Sequence, residues 1–576
     1  MTQFLFHPSF SRPLLSVVAA AFIAAVPLAG SAQQTTGDAG SYLAARLAAS
    51  DNNYREGERW FSRALEADPD NQSLLEGLVV SQIGLGQIDG AAEAAARLTA
   101  LGGRSITSSI ALVARDAKAE DYDALLAAPE NRKIGNLIDQ LIVAWAEFGK
   151  GRMSEAVAAF DGIAASDGLK AFGLYHKALA LAAVGDFEGA DAILSGRVAG
   201  PLVINRRGIV AHIQILSQLE RFDEATALLD RSFGIDADPL SSGLRASLIA
   251  RKPIPFDAVT SARDGIAEVF FTLAAALNGE AEDGYTLLYA RVASYLNPAH
   301  TEALLLTAGL LEQQEQLDLA GEVYAAVPPE NPAFYTAEIG RANTLYAQGQ
   351  KDEALAALKA LTQSHPDLIL VHMAYGDALR REEQFEASAT AYDAAAQLVA
   401  TPDERHWGLF YSRGVAFERS GQWPKAEADF RKALELSPNQ PQVLNYLGYS
   451  LVDRGEKLDE ALALIERAVA ERPDAGYIID SLGWAYFRLG RYADAVGQME
   501  RASLLEPVDP VVTDHLGDVY WAVGRTLEAR FQWRRAASFD PDEKEALRIR
   551  RKLEVGLDVV LEEEGAPPLS AVANGN

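Results

Sequence analysis

The sequence predicts an all-α solenoid of stacked helix pairs, and three observations carry that prediction. Small residues recur in register at Ala308, Ala342, Gly376, Gly414, Gly448, Gly483 and Gly517, most of them 34 residues apart. Twelve positions after each stands a second small residue: Ala320, Ala354, Ser388, Ala426, Ala461 (one position late), Ala495 and Ala529. Prolines punctuate the same register at 298, 332, 366, 438, 473, 507 and 541. A fixed period of this length marks an architecture in which each unit stacks on its neighbours.

One unit shows the elements. From Thr301, the first half carries Leu304, Leu305, Leu306, Leu310 and Leu311, and the second carries Leu317, Leu319, Val323, Tyr324 and Val327. Both halves have helical spacing, a short polar turn separates them, and Pro332 stops the second. The first small residue is position 8 of a unit and the second is position 20; both let the two helices approach closely. Position 24 is large: Tyr324, Leu358, Tyr392, Phe430, Ile465, Met499 and Trp533. It is expected to fill the space between neighbouring units, small against large, as dense packing requires. Position 11 is large as well, from Leu311 to Tyr520. Between Pro366 and Pro438 the register gains four residues, which predicts a longer turn around Thr401-Pro402-Asp403.

Small residues at 8 and 20, large ones at 11 and 24, and Pro at 32 resemble the tetratricopeptide repeat (TPR). The last unit matches with Gly517, Ala529, Tyr520, Trp533 and Pro541. The resemblance implies a right-handed superhelix of about 13 helix pairs, with the first helices lining a concave groove. The expected organisation is a signal peptide over 1–32, degenerate repeats over 33–235, an irregular break over 236–265 rich in proline, and a regular array over 266–541. A capping helix over 542–562 and a disordered tail over 563–576 complete it.

The N-terminus reads as a secretory signal. An apolar run from Leu14 to Ala29 follows Arg12, and Gly30-Ser31-Ala32 offers a small-residue cleavage site. This predicts a periplasmic or otherwise exported chain, with N-terminal anchoring in the inner membrane as the alternative. No other run is long and apolar enough to span a bilayer. Lys plus Arg is 52 against 80 for Asp plus Glu, a net charge of −28. That balance argues against nucleic acid and against anionic membrane surfaces. The absence of cysteine excludes disulfides, thiolate metal sites and a lipid anchor on cysteine.

No catalytic constellation is present. The chain has no GxSxG, no Walker loop and no metalloprotease helix, and its eight histidines are not paired at metal-ligand spacing. Gly84-Leu85-Gly86-Gln87-Ile88-Asp89-Gly90 is superficially like a dinucleotide loop, but its spacing is wrong and it lies at a helical turn. The sequence therefore predicts a non-enzymatic chain without cofactor or metal.

Binding is expected on the groove side of the first helices. In the last three units position 5 is Asn445, Asp480 and Asp514, position 9 is Tyr449, Trp484 and Asp518, and position 12 includes Phe487 and Trp521. Upstream the lining turns basic, with Arg380, Arg381 and Arg419 beside Tyr411. Amides bond a peptide backbone both ways, and aromatics anchor interfaces. Each has a structural alternative. Asp480 and Asp514 sit near helix starts, where carboxylates cap or complement the dipole. The tryptophans could bridge repeats, and the arginines could pair with neighbouring acids.

Asp480-Ser481-Leu482-Gly483-Trp484, the run from Asp514 to Trp521, Gly524-Arg525 and Gln532-Trp533-Arg534-Arg535-Ala536 resemble a family of exported bacterial TPR proteins. Members of that family act as adaptors for a periplasmic carboxyl-terminal processing protease. The similar block covers roughly 440 to 541. Some members are lipoproteins, a feature a chain without cysteine cannot share. The resemblance implies a protein-binding scaffold or protease–substrate adaptor; an envelope protein binding peptidoglycan or another glycan is the alternative.

Overall fold

The computed structural model describes residues 39–128, 133–233 and 238–569. The expected signal peptide lies outside them. Among the described residues every regular element is helical: 31 α-helices and one short 3-10 helix, with consecutive helices packed on one another. We number them α1 to α31 in chain order. The chain divides between Val371 and His372 into two compact units.

The C-terminal unit follows the register closely. In its last pair, α28 (Pro510–Ala522) starts at N-cap Asp509, whose side chain accepts from the Val512 amide, with Pro510 in the first turn where no amide is needed. Gly524, at φ +80°, makes the turn into α29 (Thr526–Ala537). The small positions are what hold the pairs close. A Cβ added at Gly376, Gly414, Gly448, Gly483 or Gly517 would lie 2.8, 2.7, 2.6, 2.8 or 2.5 Å from Tyr392, Phe430, Ile465, Met499 or Trp533 respectively. Position 24 therefore packs first on position 8 of its own pair, rather than only between units. It also reaches onward, as where the Phe430 ring lies 5.2 Å from Tyr446 of the next pair.

The C-terminal end departs from expectation in two ways. The single capping helix is two, α30 (Glu543–Val555) and α31 (Leu557–Glu563), broken at Gly556 with φ +87°. A side chain there would strike Trp521 at 2.5 Å, so the chain must turn where the indole sits. The tail expected to be disordered from 563 is placed as far as Leu569. Glu563 and Glu564 pair with Arg551 and Arg548, and Leu569 packs beside the last core cluster.

The N-terminal unit is built differently. Its main core joins residues from Ala45 to Ala337, while Phe222, Ala225, Leu229, Leu244 and Leu248 close around Ile213 and Leu216 in a second, smaller cluster. Helices α14 (Ala262–Leu277) and α15 (Asp283–Leu296) pack on α7 (Asn136–Gly149), α3 (Gln72–Leu85) and α5 (Ile106–Lys118), far away in sequence. Arg291 donates to the Gly84 carbonyl at 2.9 Å and Lys118 to the Tyr295 carbonyl at 2.8 Å. Trp145 lies so close to Gly265 that any Cβ there would overlap its ring. The inner faces of the early helices are thus filled by the chain itself. This is why their repeat pattern looks decayed: in α5 nearly every residue from Ser108 to Ala117 is buried, so both faces are constrained.

The stretch expected to be an irregular break, 236–265, contains α13 (Pro239–Ile249) and the start of α14. Pro239 begins a helix rather than ending one, because Asp238 caps it from the preceding position. Among the described residues of this stretch the non-helical run lies around Pro253 and Pro255, and α11 (Arg206–Gln218) holds it through Gln218 to the Ile254 carbonyl, 2.7 Å, and Gln214 to Asp257, 2.7 Å.

Inside this unit sits a buried ion network. Glu268 accepts from the Tyr175 hydroxyl (2.8 Å) and from Arg207 (2.8 Å), and meets His300 at 3.2 Å. Burial alone would raise the Glu268 pKa; Arg207 and His300 outweigh it and hold it well below the carboxylate range. Burial likewise opposes the Glu302 charge, yet His300 and Arg207 bring that group to about 2. Both depressed carboxylates stabilise the fold above their unfolded values and lose that contribution as pH falls through their folded ones. His300 is raised, burial notwithstanding, by Glu268 and Glu302, so its contribution is present below about 6.5 and fades as pH rises through its folded value. The N-terminal unit should therefore weaken as pH falls from about 4.5 toward 2. Calorimetric scans from pH 6 to pH 3 check this: the transition that Glu268→Gln shifts should hold to about pH 4.5 and fall below it, and a pH-independent transition would refute it.

Candidate functional site

The residues nominated for the groove separate into three groups in the C-terminal unit. Tyr449, Trp484, Phe487 and Asp514 line one cavity of about 580 Å3, together with His515, Arg488, Tyr492, Lys544 and Arg548. Its walls come from α24 (Pro441–Arg454), α26 (Gly476–Arg488), the start of α27 (Tyr492–Leu505), α28, α30, α31 and the segment after it. Asp480, Asp518, Asn445 and Trp521 do not line it. Arg380, Arg381, Tyr411 and Arg419 lie on earlier helices, away from it.

The cavity rests on an aromatic stack. Trp484 lies parallel to Phe487 at 4.8 Å and to His515 at 4.1 Å. His515 Nδ1 meets the fully buried Asp480 at 3.0 Å. Burial disfavours the imidazolium, but Asp480 prevails and raises the His515 pKa, which favours the cationic form beside the indole. Asp480 thus acts through His515 rather than facing the groove. Trp484 bridges successive repeats, one of the two roles its position allowed, and its Nε1 has no hydrogen-bond partner. Asn445 is buried, with Oδ1 also unpartnered.

Asp514 and Asp518 belong to a second device. Lys552 of α30 is wholly buried and places Nζ 2.6 Å from Asp514 and 2.6 Å from Asp518. Asp518 also accepts from Trp533 Nε1 at 2.9 Å. Burial would raise the Asp518 pKa, but Lys552 and Arg548 hold it down; for Asp514 burial wins over Lys552 and the pKa is raised. Trp521 donates to Asp558 of α31 at 2.7 Å. These residues clamp the capping helices onto the last repeat. In the third group, Arg380 is engaged by Asp377 and Tyr392, Arg419 stacks over Phe385 at 4.5 Å, and Tyr411 stands edge-on to Tyr446 at 5.9 Å, while Arg381 is exposed.

Lys552 was missed because a lysine in a charged helix reads as solvated. The available signal was its spacing: it stands three residues after Ile549, on the face that carries Ala546 and Leu553 inward. Among the described residues no group of three or more His, Asp or Glu is placed to hold a metal, and no helix is long and apolar enough to cross a membrane.

The tetratricopeptide-repeat family model matches residues 339–405, 411–476 and 481–544. A TPR repeat-containing protein of Pseudomonas aeruginosa is 32% identical over 187 residues, covering 32% of this chain and 31% of the relative. Anaphase-promoting complex subunit 3 of Schizosaccharomyces pombe is 24% identical over 127 residues, covering 22% of this chain and 18% of the relative. The chain thus spans less than a third of either curated relative. Among solved structures, the APC/C hetero-tetramer Cut9-Hcn1 is similar with a TM-score of 0.38 at 15% identity, over 84% of this chain and 96% of that one. Placed on the register and glycine contacts above, the three matched stretches within 339–544 are tetratricopeptide repeats.

Proposed function

We propose that this chain is a non-enzymatic scaffold in the bacterial cell envelope that binds protein partners or an extended peptide on the inner faces of its C-terminal repeats, and that it serves as an adaptor between a periplasmic protease and its substrates. Tetratricopeptide repeats hold proteins or peptides, and the observation that carries the reading here is the cavity on their inner side. Its lining combines the aromatic stack with Arg488, Lys544 and Arg548 and with Asp453 and Glu545, a mixture suited to a polypeptide, which presents both apolar side chains and polar backbone. The envelope location follows from the secretory character of the first 32 residues.

Pull-down from envelope extracts with mass spectrometry tests the proposal. Stoichiometric protein partners, a carboxyl-terminal processing protease among them, are expected. Retention on cell-wall sacculi alone would sink it and favour a glycan ligand. The double change Arg488→Glu with Lys544→Glu, at the rim and away from the buried stack, should lower partner recovery about 5-fold or more by reversing the local field. Arg488 is part-buried at the end of α26 and donates to the Asp453 carbonyl at 3.3 Å, so the double change should lower the melting temperature slightly, whereas Lys544→Glu alone, at an exposed position, should act within about 0.5 kcal/mol and still weaken recovery.

A further inference from the structure

The segment after α31 turns back over the cavity. Gly565 has φ +71°, and the Ala566 amide donates to the Leu561 carbonyl at 2.8 Å, reversing the chain. Ala566-Pro567-Pro568-Leu569 follows. Ala566, Pro567 and Leu569 line the cavity, and the Tyr492 hydroxyl donates to the Leu569 carbonyl at 3.0 Å. Leu569 packs on the cluster that contains Phe487 and Tyr492. This is a small intramolecular complex. Two successive prolines fix their own φ and push the residue before each into the extended region, so the segment is stiff before it docks. Proline offers no amide to satisfy; Pro567 lines the cavity from an exposed position, and the Tyr492 phenol bonds the carbonyl of Leu569, the residue that follows the proline pair. Aromatic-lined grooves take polyproline segments for these reasons.

We propose that the cavity of the C-terminal unit is a site for proline-containing extended peptides, and that the chain's own Ala566–Leu569 occupies its mouth and must be displaced by a partner. The inference rests on the scaffold reading and narrows it to one partner class. The contact is made for exchange: among the described residues, one hydroxyl–carbonyl bond and one leucine hold a short segment tethered to α31. Such a contact competes through its high local concentration rather than through affinity.

The test adds, in trans, a synthetic peptide acetyl-Gly-Ala-Pro-Pro-Leu-Ser-amide to the full-length chain and measures binding by calorimetry. Leu569→Asp places a charge in the apolar cluster and should release the segment. If the segment is docked about nine-tenths of the time, the variant binds the peptide about 10-fold tighter than the parent. The double change Pro567→Gly with Pro568→Gly loosens the same segment without adding charge and should act in the same direction. A peptide with both prolines replaced by alanine should bind at least several-fold more weakly to either variant. Tyr492→Phe in the Leu569→Asp chain should cost a further several-fold by removing the hydroxyl. Equal affinity for parent and both released variants would overturn self-occupancy, and no binding to either released variant at millimolar peptide would overturn the site. In either case partners recovered by pull-down would leave the scaffold reading standing; an empty pull-down alone would remove that reading.

Discussion

Lys552→Met should destabilise the C-terminal unit by about 3–5 kcal/mol. The side chain is fully buried, and its ammonium is the nearest counter-charge to both Asp514 and Asp518. Methionine fits the volume, so the loss is electrostatic: two carboxylates remain in a closed site with Arg548, at 3.4 Å from Asp518 and 3.7 Å from Asp514, as their nearest remaining cation. Removing one partner of a buried pair is costly because the other is left uncompensated. Asp514 is already poorly satisfied, with Oδ1 unpartnered, so it should take up a proton first. Urea unfolding of parent and variant checks the magnitude. Adding Asp518→Asn and Asp514→Asn to Lys552→Met should recover much of the loss; no recovery would mean that α30 is held by packing alone.

Gly517→Ala should destabilise by about 1–3 kcal/mol, against the helix-propensity trend. In an exposed helix interior the same change stabilises, by as much as about 1 kcal/mol. At Gly517 the new methyl would lie 2.5 Å from Trp533 and 3.2 Å from the Ala529 carbonyl oxygen, and Trp533 is fully buried with its Nε1 committed to Asp518. Neither neighbour has room to give. Gly497 supplies the control: it lies in a helix, is exposed, and nothing stands within 4 Å of its Cβ direction, so Gly497→Ala should raise stability. Thermal melts of the pair should move in opposite directions. A shared direction would mean that the glycine register reports propensity and not helix approach.

The series from Ala308 to Gly517 was legible because each member answers to a neighbour about a dozen to sixteen residues away in its own helix pair. A pattern of that range survives in sequence. Lys552 and the Asp514–Asp518 pair were not legible, since a buried lysine and an exposed one are written alike, and only the fold brings α30 onto α28. The same holds for Asp480: its place at a helix start was visible, while its bond to His515 in the next repeat was not. In the first half the signal was weakened by packing on two faces. Gly265 faces Trp145, 120 residues earlier, and no local period records such a contact.

That filled interior has a consequence for how the chain is made. In the C-terminal unit each helix pair finds its partner within a few dozen residues, so it can assemble repeat by repeat as it emerges. The N-terminal unit cannot. Tyr54 waits for Gln314, 260 residues later, and the inner faces of α3, α5 and α7 stay uncovered until α14 and α15 have been synthesised. Loop closure must come before the contacts that reward it, so this unit should fold the more slowly of the two. Throughout that interval it presents a long apolar trough, a natural client for a chaperone.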